Sequence, residues 1–541
     1  MSTYDVVLRG GTLYDGSGGP PQTRDIAFQG DVIAEIGAPG TLNGSRTIDV
    51  TGLAVAPGFI NMMCWATESL IEDGRSQSDI RQGVTLEIMG EGFSMGPLSE
   101  AMKSNVNGLL GSDDIKYDVE WTTLAEYLDF LVKRGVSCNI ASFVGTSTLR
   151  IHEIGYDDRP PTAAELAAMQ QLVRQAMAEG AMGLSSALIY PPASYAKTDE
   201  LIALAKAAAE YDGIYISHLR SEGSQFYEAL DEFMTILREA NIRGEIYHLK
   251  AAGRHNWDKM DEVIRRVQAA QAQGRQVSAD MYTYTASGTG LAACIPPWAH
   301  DGGDEALLNR LRDPVMRQKI AADMNTPGTD WENMWMETEG PDKILLAGFR
   351  NEALKPLTGM TLAQVAAARG KAPIETLFDL LIEDGGRIFT VYFSMTEENV
   401  RKQIALPWVS FCSDAESLAP EGVFLKSNPH PRAYGSFARL LGRYVREAQI
   451  ISLQEAVRRL AAFPASVLKV KQRGWLKPGY FADVVVFDPQ TIEDRATFAQ
   501  PHQYAVGMQH VFVNGIQVLE NGEHTGARPG RVVHGPGWKG A

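Results

Sequence analysis

The sequence predicts an α/β fold: a (β/α)8 barrel of the TIM type, joined to a small β domain built from both chain ends. Three observations carry this. Apolar runs of strand length alternate with amphipathic helical stretches through the middle of the chain. Eight such runs can be counted, the number that closes a barrel. Both ends hold only short apolar runs punctuated by Gly and Asp, too small to bury a core separately. At 541 residues the chain is also too long for one small core.

The elements follow in order. DVVLRGG, DIAFQGD, VIAEIG and RTIDV read as strands within the first 55 residues. At the other end, ADVVVFDP (482–489) and HVFVNGIQVLENGEHTG (510–526) read as strands, the latter folded at an Asn-Gly turn, 514–515. The eight middle strands are expected at 55–63, 84–92, 137–145, 181–189, 214–219, 245–250, 276–282 and 408–414. The clearest intervening helix runs from Thr162 to Gly180. It opens on a Thr162/Glu165 capping box, carries Leu166, Met169, Val173 and Met177 on one face, and stops at a glycine. A second capping box, Ser452 with Glu455, opens a later helix. Between the seventh and eighth strands lies an insertion of about 286–405, with helices of its own such as 373–386; at the reactive end of a barrel it is expected to act as a lid. The domains are then 1–55 plus 470–541, and 56–469.

Composition is that of an ordinary globular protein, 45% hydrophobic and 21% charged. A formal net charge of −16 with no long basic run speaks against nucleic acid and anionic membranes as partners. The start, MSTYDVVLRGG, lacks a signal-peptide pattern, and no run of about 18 apolar residues exists to span a bilayer. Cys64, Cys138, Cys294 and Cys412 are far apart and fit no zinc or redox spacing, which suits a reduced, cytoplasmic protein.

Barrel enzymes gather reactive groups where strands end. Glu91 closes the second run, His218 the fifth, His248 the sixth, Asp280 and Tyr282 the seventh, and Asp414 the eighth. His218 and His248 are one βαβ unit apart, so they fall on neighbouring strands about 5 Å apart and can share an ion. Each has a second reading. A histidine at a strand end is often structural, Glu91 can pair with a cation, and Asp414 can cap a loop. Cys412 reads as a small core residue. His152, His255, His300 and His430 are expected at surface or lid positions, and His502, His510, His524 and His534 away from the barrel mouth.

With these residues in place, the chain resembles the N-acyl-D-amino-acid deacylase (D-aminoacylase) family of the amidohydrolase superfamily. The resemblance rests on VLRGGTLYDGSG, VAPGFI, VTLEIMGEGFSMGP, SFVGTSTLR, MGLSSALIYPP, SHLRSEG, YHLKAAG, DMYTYTA, SDAES, HPRAYGSFARLLGRYVRE and KPGYFADVVVFDP, in that order over nearly the whole chain. It implies a (β/α)8 barrel with a small β-sandwich from both ends. It implies zinc held by His218 and His248 and by a second-strand residue, often Cys, whose place Glu91 takes; carboxylate is an acceptable, harder ligand. It assigns the catalytic aspartate to Asp414 and the contacts to a substrate carboxylate to Lys250, Tyr282 and Arg432.

The chain departs from the family where a Gly-Phe-Ile-Asp-x-His-x-His motif is usual. It reads Gly58-Phe59-Ile60-Asn61-Met62-Met63-Cys64-Trp65, and Thr146 stands where a third-strand histidine is usual. A thioether is a poor zinc ligand and an indole offers only a donor N–H. One zinc ion per chain, not two, is therefore expected. Met63 and Trp65 either form an apolar floor for the substrate or fill the space of the missing groups. Lys250 and Arg432 either meet an anionic substrate group or pair with Glu222, Glu245 or Asp280.

The function expected is hydrolysis of an amide bond of an N-acyl amino acid, with the D configuration following from the resemblance. The partner would be a small molecule with a carboxylate and an apolar part; the sequence leaves a homo-oligomer open. Two other readings stand beside it: a remodelled enzyme acting on another bond (an ester, a lactam, a lyase or cyclisation step), and a ligand-binding homologue without turnover.

Overall fold

The computed structural model describes residues 3–104, 114–328 and 330–540, so Thr329 of the expected insertion and the extreme ends of the terminal segments lie outside the described residues. Both chain ends meet in one nine-stranded sheet, with five strands from residues 4–57 and four from 484–524. The seam is Ala54–Pro57, which lies antiparallel to Val484–Phe487 and parallel to Tyr4–Leu13. Leu8, Ile26, Phe28, Val55, Val484 and Phe512 fill its buried face. The Asn-Gly turn joins Met508–Val513 to Ile516–Glu520 with φ of 49° at Asn514 and 77° at Gly515, the left-handed pair that a tight hairpin needs.

The run predicted as one strand at 55–63 is two. Gly58 is the junction, where a Cβ would collide with Thr85. Upstream the chain belongs to the nine-stranded sheet; downstream, Phe59–Asn61 pairs parallel with Val84–Met89, which pairs with Asn139–Ser142. A second parallel set runs Val144–Gly145, Gly183–Ala187, Ile214–His218, Arg243–Ile246 and Val277–Ala279. The two sets touch where Met182 N–H donates to Ser142 O at 3.0 Å.

The predicted eighth strand, 408–414, is not a regular strand. It has one bridge, Val409 to Ala279. Its neighbours Phe59–Asn61 and Val277–Ala279 are only three residues long, so no ladder continues. The segment is still bonded on both sides: Cys412 N–H donates to Met281 O at 2.9 Å, and Asp414 N–H to Met63 O at 3.1 Å.

The helix Ala163–Ala178 has both halves of its capping box, buries Met169, Val173 and Met177, and is followed by Gly180 at φ 110°. At the later helix only half of the expected box forms. Ser452 accepts from Glu455 N–H, but the Glu455 carboxylate turns to Arg458 at 2.7 Å.

Residues of the insertion build a core of their own, including Leu291, Ile320, Leu346, Phe378, Leu381 and Tyr392. Its sheet is antiparallel, with Phe389–Tyr392 between Ser287–Gly290 and Ile344–Gly348. The helix Glu397–Ile404, by contrast, sends Val400 and Ile404 into the main core. Two buried insertion carboxylates reach the turn after Ile214–His218. Glu332 accepts the Glu222 N–H, and Glu337 accepts Ser224 N–H at 3.1 Å and an Asn256 side-chain N–H at 2.6 Å. Among the described residues no helix is long and apolar enough to cross a membrane.

Candidate metal centre

His218 is the last residue of its strand. His248 lies two residues beyond Arg243–Ile246, at the rare φ of 31°, with its N–H held by Asp280 Oδ1 at 2.7 Å. Glu91 follows its strand between two glycines at φ 101° and 64°, Gly90 and Gly92, conformations that let the chain turn the carboxylate inward. The three side chains converge. Glu91 Oε1 is 3.1 Å from His218 Nδ1 and 2.9 Å from His248 Nε2. The rings meet edge to face, centroids 4.5 Å apart.

Among the described residues this is the group of His, Cys, Asp and Glu able to hold a metal ion, its donor atoms lying within 4.8 Å of one another. Two ring nitrogens and one carboxylate oxygen, all buried, suit zinc. Burial penalises the Glu91 charge, but hydrogen bonds from both histidines outweigh it and hold the carboxyl well below the ordinary range. Burial also opposes charge on His248, as does Lys250, yet Glu222 and Glu91 push its pKa up to about 10. A cation in place of ring protons meets the same negative surroundings.

Asp414 is buried, with φ 49°. Arg432 Nη1 reaches its Oδ2 at 2.6 Å, and the Trp65 indole N–H donates to its Oδ1 at 3.3 Å. Burial raises the Asp414 pKa, with Arg432 pulling the other way. Tyr282 lies beneath two cations, its ring centroid 4.6 Å from the Arg432 guanidinium carbon and 5.8 Å from Lys250 Nζ. Met63 is buried in the apolar cluster that also holds Tyr282 and Cys412, with Trp65 packed against it.

Lys250 takes the ion pair that its second reading named: Nζ donates to both Glu222 oxygens, at 2.7 and 2.8 Å. Arg432 pairs with Asp414, a partner the sequence reading did not weigh. His430 is not at a surface. It is buried beside Tyr282 and Tyr284, and its Nδ1 accepts the Arg432 N–H at 3.0 Å, so it seats the start of the helix Arg432–Arg439. Glu222 was read only as a counter-ion, yet it stands 3.0 Å from His248 Nδ1. Its place four residues after His218, in HLRSE, was the available signal.

Known proteins resemble this chain over nearly its whole length. The amidohydrolase family model Amidohydro_3 matches residues 147–519. A D-aminoacylase of Alcaligenes xylosoxydans xylosoxydans is 34% identical over 98% of this chain and 97% of its own. An N-acyl-D-glutamate deacylase from Bordetella bronchiseptica, solved with zinc and a phosphonate mimic of the tetrahedral intermediate, superposes with a TM-score of 0.82 at 30% identity, covering 98% of this chain and 100% of that one. A D-aminoacylase structure described by a binuclear metal centre, with one-metal activation and second-metal attenuation, gives a TM-score of 0.81 at 31% identity over 98% of this chain and 100% of that one. With the family model and a full-length relative both matching, the chain belongs to the amidohydrolase family.

Proposed function

We propose that this hydrolase cleaves the amide bond of an N-acyl amino acid, of D configuration as in the relatives, at a centre holding one zinc ion. The observation that carries the proposal is the convergence of Glu91, His218 and His248 on one point. A zinc ion there would lower the pKa of a bound water towards about 7 and polarise the amide carbonyl. Asp414 is the proton carrier. Its carboxylate takes the proton of the attacking water and returns it to the leaving nitrogen, giving a carboxylate and an amine. Burial raises its proton affinity, the direction that favours a group which must take up a proton, with Arg432 opposing.

Arg432 and Lys250 supply the positive charge that a substrate carboxylate needs, with Tyr282 between them. Both cations are already matched by carboxylates, so the substrate's anionic end competes with Asp414 or Glu222 for them. Met63 and Trp65 line the apolar side, and they stand where the family's histidine pair would favour a second ion. The parallel sets close into a (β/α)8 barrel in this reading. Its support is the 409–414 segment, bonded to Met281 on one side and Met63 on the other. The nine-stranded sheet folds over as a sandwich, since Ile33 N–H donates to Tyr480 O at 2.8 Å and draws its edge back towards residues 479–481. Four buried free thiols fit a reducing cytoplasm.

The test is metal content of protein purified without chelators, beside His248→Ala, followed by turnover of matched N-acyl-D- and L-amino acids. About one zinc in the parent, none in the variant, and release of the free amino acid are expected. A metal-free parent, or an Asp414→Ala variant with full activity, would overturn the reading. Products lacking the added water would point to a lyase or cyclase.

A further inference from the structure

Each ring of the histidine pair has two nitrogens, and Glu91 faces one of each: Nδ1 of His218 and Nε2 of His248. The opposite nitrogens face a second buried carboxylate, Glu222. His248 Nδ1 is 3.0 Å from Glu222 Oε1, within hydrogen-bond geometry. His218 Nε2 is 3.3 Å from Glu222 Oε2, in ion-pair range though off the line of a hydrogen bond. Glu222 is itself held. Its N–H is taken by Glu332 and its carbonyl by Ala252 N–H at 2.8 Å, so both the insertion and the loop after His248 fix its backbone.

An imidazole that gives one nitrogen to a metal keeps its proton on the other, and that N–H needs an acceptor. We propose that Glu222 is the positioning residue for both histidines, selecting Nδ1 of His218 and Nε2 of His248 as the atoms offered to the ion. The inference rests on the metal reading above. A carboxylate serving Lys250 alone would need no imidazole nitrogen beside it; this one has two. Lys250 keeps the buried carboxylate ionised by donating to both its oxygens. Lys250 Nζ also lies 2.5 Å from His248 Nδ1. When Nδ1 carries the ring proton, the ammonium has no lone pair to donate to there, and its hydrogens go to Glu222.

The experiment measures zinc affinity by competition with a chromophoric chelator, and the visible spectrum of the cobalt(II)-loaded protein, for the parent, Glu222→Gln and Glu222→Asp. Glu222→Gln keeps one acceptor oxygen and puts a donor where the second imidazole N–H needs an acceptor. Glu222→Asp keeps the charge beside Lys250 but withdraws the carboxylate by one methylene, and it serves alone if Glu222→Gln does not fold. Zinc affinity is expected to fall roughly 10- to 100-fold in each, with shifted cobalt bands. The double variant Glu222→Gln, Lys250→Met removes both buried charges together and should stay weak. Parent-like affinity and spectrum in Glu222→Asp, or affinity restored in the double variant, would show that Glu222 serves only as the counter-ion of Lys250 and overturn the proposal. A parent that takes up neither zinc nor cobalt would overturn the metal reading, and this inference with it.

Discussion

The indole N–H of Trp65 donates to Asp414 at 3.3 Å, from the place where the family motif carries a histidine. A residue that cannot ligate zinc is hydrogen-bonded to the proposed proton carrier instead. Together with Arg432 on the other oxygen, it fixes the carboxylate plane. Trp65→Phe keeps most of the bulk and removes the donor. A long hydrogen bond of this kind is worth about 1 kcal/mol, so kcat should fall about fivefold. Zinc content should not change, because the Trp65 indole N–H is given to Asp414 and not to one of the three donors. Steady-state kinetics and metal analysis on one preparation check both halves.

Asp414→Asn is nearly isosteric and cannot carry a proton. Loss of general acid–base catalysis should lower kcat by about 10²- to 10⁴-fold. Zinc stoichiometry should stay that of the parent.

Removing metal should destabilise the fold as well as silence it. Without a cation, Glu91 and Glu222 are paired with the two histidines and Lys250. A ligand at a hundred times its Kd adds about 2.7 kcal/mol to stability. Chelation should therefore lower the melting temperature, zinc should restore it, and His248→Ala should show neither response. Differential scanning calorimetry with and without chelator reads this directly.

A further buried acid, on the strand that leads to His248, sets a pH dependence of its own. Glu245 is fully buried, accepts from Ser278 at 2.6 Å and Ser410 at 3.2 Å, and has its pKa pushed up to about 8 by burial and by the nearby Asp280 charge. Its folded value lies above its unfolded one. The folded state thus binds the extra proton, and the associated stability is full below about pH 4.5 and lost as pH rises towards 8. Glu245→Gln cannot ionise. Its unfolding free energy should fall less steeply over that interval, by up to about 1.4 kcal/mol per pH unit. Urea melts across the range test it.

Much of this was legible in the chain. Alternation of apolar runs placed the parallel strands, and His218, His248 and Glu91 could be named because each ends such a run. What failed was set by contacts distant in sequence. Gly58 reads as one more strand residue until Thr85 is packed against it. The 408–414 run has strand composition, but its partners are too short to give it a ladder. His430 sits in a Pro-rich stretch that resembles a surface loop, and only the fold puts Tyr282 and Tyr284 around it. Glu222 had one signal, its place four residues after His218 in SHLRSEG, but its approach to His248 comes from the fold alone.

An insertion invites excision, as a graft that could be cut away to leave an open, faster enzyme. The carboxylates of Glu332 and Glu337 argue against that surgery here. They cap backbone N–H groups at Glu222 and Ser224, in the turn directly beneath the histidine pair. Trimming the insertion would strip those caps and loosen the floor on which the rings stand. Whatever covers the mouth, this appendage also underpins the turn that carries Glu222.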